Sequence, residues 1–195
     1  MNVLIIYAHP WEGSFNHAVL ESVKKGLESA RMAYDVIDLY HDGFNPTFTK
    51  AELAVYRKGE YTDPLVGVYQ EKITAATHLV FIFPIWWGVF PALLKGFLEK
   101  VVLPHWAYER KKSGLFTGKL GFIRKALVMT TAGGPAVHYR LYLRNPLKQI
   151  LIKDVLKPFG IKKTKLLIFT GIKSSTPGRR RKWLCKMERY ARELS

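Results

Sequence analysis

Short, mostly unbroken apolar runs alternate along this chain with segments of helical periodicity, and no other feature constrains the fold as strongly. The runs lie at residues 3–7, 34–39, 79–83, 126–130 and 166–170. Strands with one solvated face alternate apolar and polar residues, whereas unbroken runs of this length are typical of strands buried on both faces. The pattern therefore predicts an α/β protein with a parallel sheet covered by helices.

Helix signals fill the intervals between these runs. Apolar residues recur at helical spacing through residues 15–31 and again after Pro91, which suits a first helical turn. Asp63-Pro64 and Thr176-Pro177 each combine a capping residue with a proline, which is a helix start signal. A further helix is predicted over residues 146–157.

Alternating strands and helices predict one domain, residues 1–195, with a doubly wound five-stranded parallel sheet and helices on both faces. Five strands favour the order 2-1-3-4-5. In such sheets a ligand binds outside the carboxyl ends of the strands, at the switch point between strands 1 and 3. The loops after Tyr7, Phe83 and Thr131 are therefore predicted to form one site.

Composition removes several classes of protein. Apolar residues make up 48% of the chain, enough for a sizeable core, and the longest apolar runs are far shorter than the ~20 residues that cross a bilayer. The start of the chain lacks the basic segment of a signal peptide. Cys185 is the only cysteine, which excludes an internal disulfide and a cysteine-based zinc site. We expect a cytoplasmic protein without a bound metal.

The positive charge is confined to the second half of the chain. Residues 1–100 carry 9 basic and 11 acidic side chains, a net charge of −2, whereas residues 101–195 carry 22 and 4, a net charge of +18. Such an excess is compatible with binding a nucleic acid, an anionic membrane surface or a phosphate-bearing small molecule, or with solubility alone. Composition leaves these four interpretations open.

The first of the three loops carries hydrogen-bond donors at a predicted helix start. Gly13 permits unusual backbone angles, and Ser14 and Asn16 stand beside the free N–H groups of the helix N-terminus. Such donors converge on a phosphate, and His9 offers one more. A helix capped by Ser14 with no ligand is the alternative. Neither a P-loop motif nor a dinucleotide-binding glycine motif occurs.

The second and third loops add aromatic rings and glycines. Trp86 and Trp87 lie between prolines at a strand end, where aromatic rings line a flat heterocycle or pack a sheet edge or subunit interface. Gly133-Gly134 lets main-chain N–H groups approach a ligand closely, and Tyr139 offers a hydroxyl with a pKa of ~10. A plain turn is the alternative for the third loop alone. Three such loops at one switch point favour a common site.

Together these loops resemble those of the flavodoxin-like NAD(P)H:quinone oxidoreductases. His9 with Ser14-Phe15-Asn16 is similar to the phosphate-binding stretch of that family, and residues 84–95 are similar to its isoalloxazine-binding turn. Thr130-Thr131, Gly133-Gly134 and Tyr139 are similar to its third segment. The resemblance extends over about residues 1–139. It assigns to the cofactor His9, Ser14, Phe15, Asn16, Pro84, Ile85, Trp86, Trp87, Thr131, Gly133 and Gly134.

The resemblance implies a flavodoxin-like fold, a bound flavin (FAD or FMN) and NAD(P)H as co-substrate. A hydride would pass from NAD(P)H through the flavin to a quinone or a similar acceptor. Tyr139 would donate a hydrogen bond to developing negative charge. Where better-studied members carry a second catalytic histidine this chain has Arg144 and Asn145, so His138 is the candidate to replace it. The resemblance also implies a homodimer, with candidate interface aromatics at Tyr56, Tyr61, Tyr69, Trp106 and Tyr108, for which monomer surface or core is the alternative.

A second function stays open from the sequence. The chain could be a non-catalytic flavin-binding regulator or redox sensor that docks its basic half on a transport protein or another acidic partner. The leading interpretation of the charges near Arg179–Lys182 is the solvated face of the last helix; attraction of the phosphates of NAD(P)H comes next, and contact with an acidic partner or a membrane follows. We expect no nucleic-acid binding, because no recognised reading helix or aromatic platform for bases accompanies the charge.

Overall fold

The computed structural model describes residues 1–194 and contains a five-stranded parallel sheet with the order β2-β1-β3-β6-β7. Numbering only these five strands, the order is 2-1-3-4-5, which confirms the predicted fold class. The strands are β1 (Asn2–Tyr7), β2 (Ala33–Asp38), β3 (His78–Pro84), β4 (Tyr108–Arg110), β5 (Phe116–Gly118), β6 (Lys125–Ala132) and β7 (Thr164–Thr170), and the helices are α1 (Phe15–Ser29), α2 (Lys50–Tyr56), α3 (Pro64–Ala75), α4 (Ala92–Val101) and α5 (Pro177–Arg192).

Two apolar layers cover the sheet, one on each face. On one face α1 and α5 pack through residues such as Val23, Leu27 and Met187, and on the other face α3 and α4 pack through residues such as Tyr69 and Phe97. All seven residues of β3 are buried, as an unbroken apolar run requires when helices lie on both sides. The tyrosine at position 69 is therefore core, which rules it out as an interface residue.

Helices α1 and α5 approach closely because Gly26 has no side chain. A Cβ atom at this position would lie 2.3 Å from the backbone oxygen of Glu188, closer than any real contact. The crossing therefore requires glycine on α1. It places the start of α5 beside the start of α1, at the carboxyl end of the sheet.

Two regions differ from the sequence-based expectation. Strands β4 and β5 form a small antiparallel hairpin that no periodicity predicts, because each has only three residues. The helix predicted over residues 146–157 is π-helical at Lys148–Leu156, and a second π-helical turn occupies His138–Tyr142. The Leu143 N–H donates to the His138 carbonyl, five residues back, and Arg144 and Asn145 between the two segments have positive φ angles.

Within residues 1–194, no helix combines the length and the apolar character that crossing a membrane requires. The same residues hold no group of three or more His, Cys, Asp and Glu side chains that is able to bind a metal ion.

A buried ion cluster joins α2, α3 and α4 on one face of the sheet. The ammonium of Lys100 lies 2.7 Å from Glu52 Oε1 and 3.2 Å from Asp63 Oδ2, and it donates to the Asn45 carbonyl at 2.8 Å. Burial alone raises the pKa of Glu52, but the Lys100 ammonium and the hydrogen bonds from Thr49 outweigh it and hold that pKa below its usual value. Glu52 is therefore ionised at neutral pH and depends on Lys100 for compensation.

We expect Lys100→Met to lower the free energy of unfolding by about 3 kcal/mol, because it leaves two carboxylates without a buried cation. Urea denaturation followed by circular dichroism measures this loss. The matched control is Lys95→Met on the same helix, whose ion pair with Glu99 is exposed and contributes at most about 0.5 kcal/mol.

The deficit of Lys100→Met should also depend on pH. A carboxyl with a depressed pKa stabilises the fold above its unfolded pKa and loses that contribution as the pH falls through the folded value. The difference between wild type and variant should thus be greatest near neutral pH and shrink below about pH 4. A deficit that does not shrink as the pH falls below that value would contradict this account of Glu52.

Candidate functional site

The carboxyl ends of β1, β3 and β6 bring the three loops together around two adjoining clefts. The larger cleft has a volume of about 800 Å³ and the smaller about 450 Å³. Ile85, Trp87, Ala132 and Gly133 line both, so they form the wall that the two clefts share. All thirteen residues that the sequence assigned to the site line one cleft or the other. Eleven are the candidate cofactor residues, and the other two are His138 and Tyr139.

The start of α1 forms the floor of the larger cleft. Ser14 is its N-cap, and its hydroxyl accepts from the His17 N–H at 3.1 Å. Asn16 and Thr131 are both buried and exchange hydrogen bonds at 3.0 and 3.3 Å, which fixes α1 to the end of β6. These polar side chains therefore hold α1 and the end of β6 together. The first N–H groups of α1 have no partner within the helix and remain as donors for a ligand.

His9 is held in one tautomer at the edge of this cleft. Its Nδ1 accepts from the Trp11 N–H at 3.1 Å, which leaves the proton on Nε2. Burial lowers the pKa of His9, so the ring is neutral at physiological pH. Its ring centroid lies 5.8 Å from that of Trp86. His9 can therefore offer a ligand one neutral N–H donor.

Two cations line the larger cleft that sequence reasoning did not assign to it. Arg180 on α5 donates to the Ser175 hydroxyl at 2.8 Å and to the Ile172 carbonyl at 2.9 Å, which orients its guanidinium. Lys173, in the loop after β7, lies beside Gly133. The topology alone could have indicated these cations, because the loop after the fifth parallel strand begins at the same edge of the sheet as the three loops of the site. In the sequence, however, Lys173 and Arg180 stand among many other basic residues, and nothing distinguished them as residues of the cleft.

A tight turn presents the two tryptophans. Trp86 and Val89 exchange main-chain hydrogen bonds at 2.9 and 3.2 Å, and between them Trp87 and Gly88 have φ angles of +50° and +88°. Positive φ at both central positions is typical of a type I′ turn, in which tryptophan costs about 1–2 kcal/mol. The indole of Trp87 is fully exposed and lines both clefts. Packing within the monomer therefore does not explain its position.

The smaller cleft is a slot between this turn and the third loop. A Cβ atom at Gly134 would meet nothing within 4 Å, and one at Gly133 would meet only Lys173 at 3.7 Å, so both glycines leave open space. Neither has the positive φ that would itself require glycine. No acidic side chain of the described residues lines either cleft. Neither glycine therefore places a side chain in the slot.

Tyr139 and His138 lie at the far wall of the slot. The Tyr139 side chain is buried, its hydroxyl accepts from the Leu147 N–H at 3.1 Å, and burial raises its pKa. His138 is exposed and stacks on Tyr142 with ring centroids 5.1 Å apart. The phenol is therefore fixed and protonated, whereas the imidazole is accessible.

Known proteins are similar to this chain in sequence and fold. The chain is similar to a crystallised NAD(P)H:quinone oxidoreductase from Methanothermobacter marburgensis, with 29% identity, a TM-score of 0.90, and coverage of 100% of this chain and 99% of that one. It is 27% identical over 173 residues to an uncharacterised NAD(P)H oxidoreductase of Haemophilus influenzae, which covers 88% of this chain and 85% of that protein.

Mammalian proteins are also similar. Rat NAD(P)H dehydrogenase [quinone] 1 is 29% identical over 158 residues, which is 71% of this chain but 56% of the rat protein. The chain therefore spans less than two thirds of the length of this relative. The profile of the family described as flavodoxin-like fold matches residues 1–191. The sheet order and the profile agree, and the chain belongs to the flavodoxin-like fold family.

Proposed function

We propose that this protein is a flavin-dependent oxidoreductase that passes two electrons, as a hydride, from NAD(P)H to a quinone or a similar acceptor. The observation that carries the proposal is the pair of adjoining clefts, with donors and cations at one end and an open planar slot at the other. This pair suits a ligand with an anionic tail and a flat ring. Relatives that are named NAD(P)H dehydrogenases and NAD(P)H oxidoreductases support the same activity.

The residues present fit a flavin. Its phosphate would lie at the N-terminus of α1, near His9, Lys173 and Arg180, where the helix dipole and three donors favour negative charge. Its ring would lie against Gly133-Gly134, whose missing side chains leave the necessary space. Either FMN or FAD satisfies these contacts.

When bound, a flavin supplies hydride acceptance and hydride donation, and the protein supplies binding, orientation and electrostatics. The backbone N–H groups of Gly133 and Gly134 would face the carbonyl edge of the ring and stabilise negative charge there. Trp86 and Trp87 would exclude water from the ring. Tyr139, whose oxygen already accepts from Leu147, would donate its proton in a hydrogen bond to the ring or the acceptor, and the accessible His138 would relay a proton to solvent.

The absorbance spectrum tests this function. Purified protein should carry a yellow pigment, NADPH or NADH should bleach it without oxygen, and a quinone should restore it. Chromatography of the released pigment distinguishes FMN from FAD. Gly134→Val should fold normally but bind flavin at least roughly tenfold more weakly, because its side chain fills the slot.

The matched control is Gly178→Val, where a Cβ atom also meets nothing within 4 Å but outside both clefts. Protein that remains colourless after incubation with FMN and FAD would refute the function. Equal flavin affinity in Gly134→Val and wild type would refute the placement of the ring.

Tyr139→Phe separates chemistry from stability. The variant should lose about 1 kcal/mol of stability, because the Leu147 N–H loses its acceptor. It should also slow anaerobic hydride transfer by about tenfold or more, which is the order of magnitude expected for the loss of one catalytic hydrogen bond. Stopped-flow absorbance measures that rate. A full rate in a destabilised variant would restrict Tyr139 to holding the third loop.

We also propose that the protein acts in the cytoplasm as a homodimer with the slot at the subunit boundary. Val137, Leu141 and Tyr142 are 61%, 72% and 78% exposed beside the slot, which is unusual for three neighbouring apolar side chains. A second copy covering them would close the mouth of the slot.

Sedimentation velocity should therefore show a dimer at micromolar concentration that Leu141→Glu converts to a monomer. Phe122→Glu is the matched control, because Phe122 is 44% exposed in the segment that precedes β6, at the opposite end of that strand from the slot. A wild-type monomer at that concentration, or a dimer that survives Leu141→Glu, would contradict this interface.

A further inference from the structure

The strand at one open edge of the sheet has the sequence of a covered strand but is not covered. β7 is the last strand in the sheet, and no strand of residues 1–194 pairs with its outer side. Its apolar run resembles those of the central strands, yet six of its seven residues are at least partly exposed. β2, at the opposite edge, instead carries two carboxylates within the strand, Asp35 and Asp38.

A groove of about 460 Å³ runs along this strand, between β7 and the π-helical segment Lys148–Leu156. Its floor is apolar and consists of Ile152, Leu166 and Ile168. Its rim carries five cations, and no acidic side chain lines it. These rim cations are Arg140, Lys148, Lys153, Lys157 and Lys162.

The rim cations have no acidic side chain to balance them. Of the basic residues in 101–194, only Lys119 forms an ion pair with a side-chain carboxylate. Five like charges around one groove repel one another, and an anionic partner would remove that repulsion. The groove therefore combines an apolar floor, an unpaired strand edge and a positive rim.

We propose that this groove binds an extended acidic peptide segment of a partner protein, which adds as a further strand to the outer edge of β7. The main chain of the segment would pair with β7, and every second side chain would face the groove, where apolar side chains would contact the floor and carboxylates would reach the rim. This site lies outside the two clefts, so the proposal is independent of the oxidoreductase function.

Other occupants fit less well. A second copy of the chain would bring a positive rim against a positive rim. A compact phosphate-bearing molecule would neutralise the rim but leave the strand edge and the apolar floor uncovered. The rim lysines also deter neutral or basic strands from pairing at this edge, so they select for an acidic one.

Fluorescence anisotropy with the full-length protein tests the proposal. The probe is a fluorescein-labelled peptide of about eight residues, long enough to span β7, in which Val and Glu take turns at the positions that face the groove and Thr occupies the positions between them. We expect saturable binding that weakens with salt, is lost when alternate peptide nitrogens are methylated, and slows amide hydrogen exchange in β7.

Two variants with the same change in net charge locate the site. Lys153→Glu/Lys157→Glu inverts two exposed rim charges and should weaken binding roughly tenfold or more. Lys182→Glu/Lys186→Glu inverts two exposed charges on α5, which border a different groove, and should leave the affinity within about twofold after the common effect of net charge.

Several results would overturn the proposal. These are equal weakening by both double variants, binding that survives N-methylation, or no saturable binding. Phosphatidylglycerol vesicles or a single-stranded oligonucleotide could also bind more tightly than the peptide. If that binding is lost in Lys153→Glu/Lys157→Glu, the groove belongs to a membrane or a nucleic acid instead. Circular dichroism of each variant excludes unfolding as the cause.

Discussion

The reciprocal hydrogen bonds between Asn16 and Thr131 hold the first turn of α1 against the end of β6, two strands away from β1. Both side chains are buried, so each bond that is broken leaves polar atoms without water, at about 1–3 kcal/mol per group. The direction of the free N–H groups of α1 follows from this clamp. The position of α1 at the larger cleft therefore depends on the contact between Asn16 and Thr131.

The central sheet was predictable because the three central strands are buried on both faces. A strand that is buried on both faces has an unbroken apolar run in its sequence. The site followed from topology, since parallel strands must present their carboxyl ends at one edge. Each of the thirteen chosen residues lines a cleft for this reason. Their individual tasks did not follow, because Ser14 and Asn16 satisfy backbone and side-chain partners that only the folded chain brings near.

Other features carry too little local signal to be predicted. The β4–β5 hairpin has three residues a strand, which is too short for a period to appear. The π-helical geometry at Lys148–Leu156 has the same apolar spacing as an α-helix over one or two turns. The orientation of Arg180 depends on Ser175 and the Ile172 carbonyl, and composition records only that the region is basic.

The positive half of the chain divides into separate environments once it is folded. Lys173 and Arg180 lie at the larger cleft, five cations surround the groove beside β7, and the remaining charges of α5 face outward. A single explanation for the net charge of +18 in residues 101–195 would have treated these surfaces as one. Their separation in space allows each to be altered without the others.

The turn that carries Trp87 is closed by main-chain hydrogen bonds of Trp86 and Val89 and not by any side chain at its tip. Trp87 is fully exposed and contributes nothing to the core, so replacing it leaves the sheet and helices undisturbed. Natural variation or directed evolution can therefore exchange the surface offered at the mouth of the slot while the scaffold persists. The tip of this turn can therefore change what it presents to a ligand at little risk to folding.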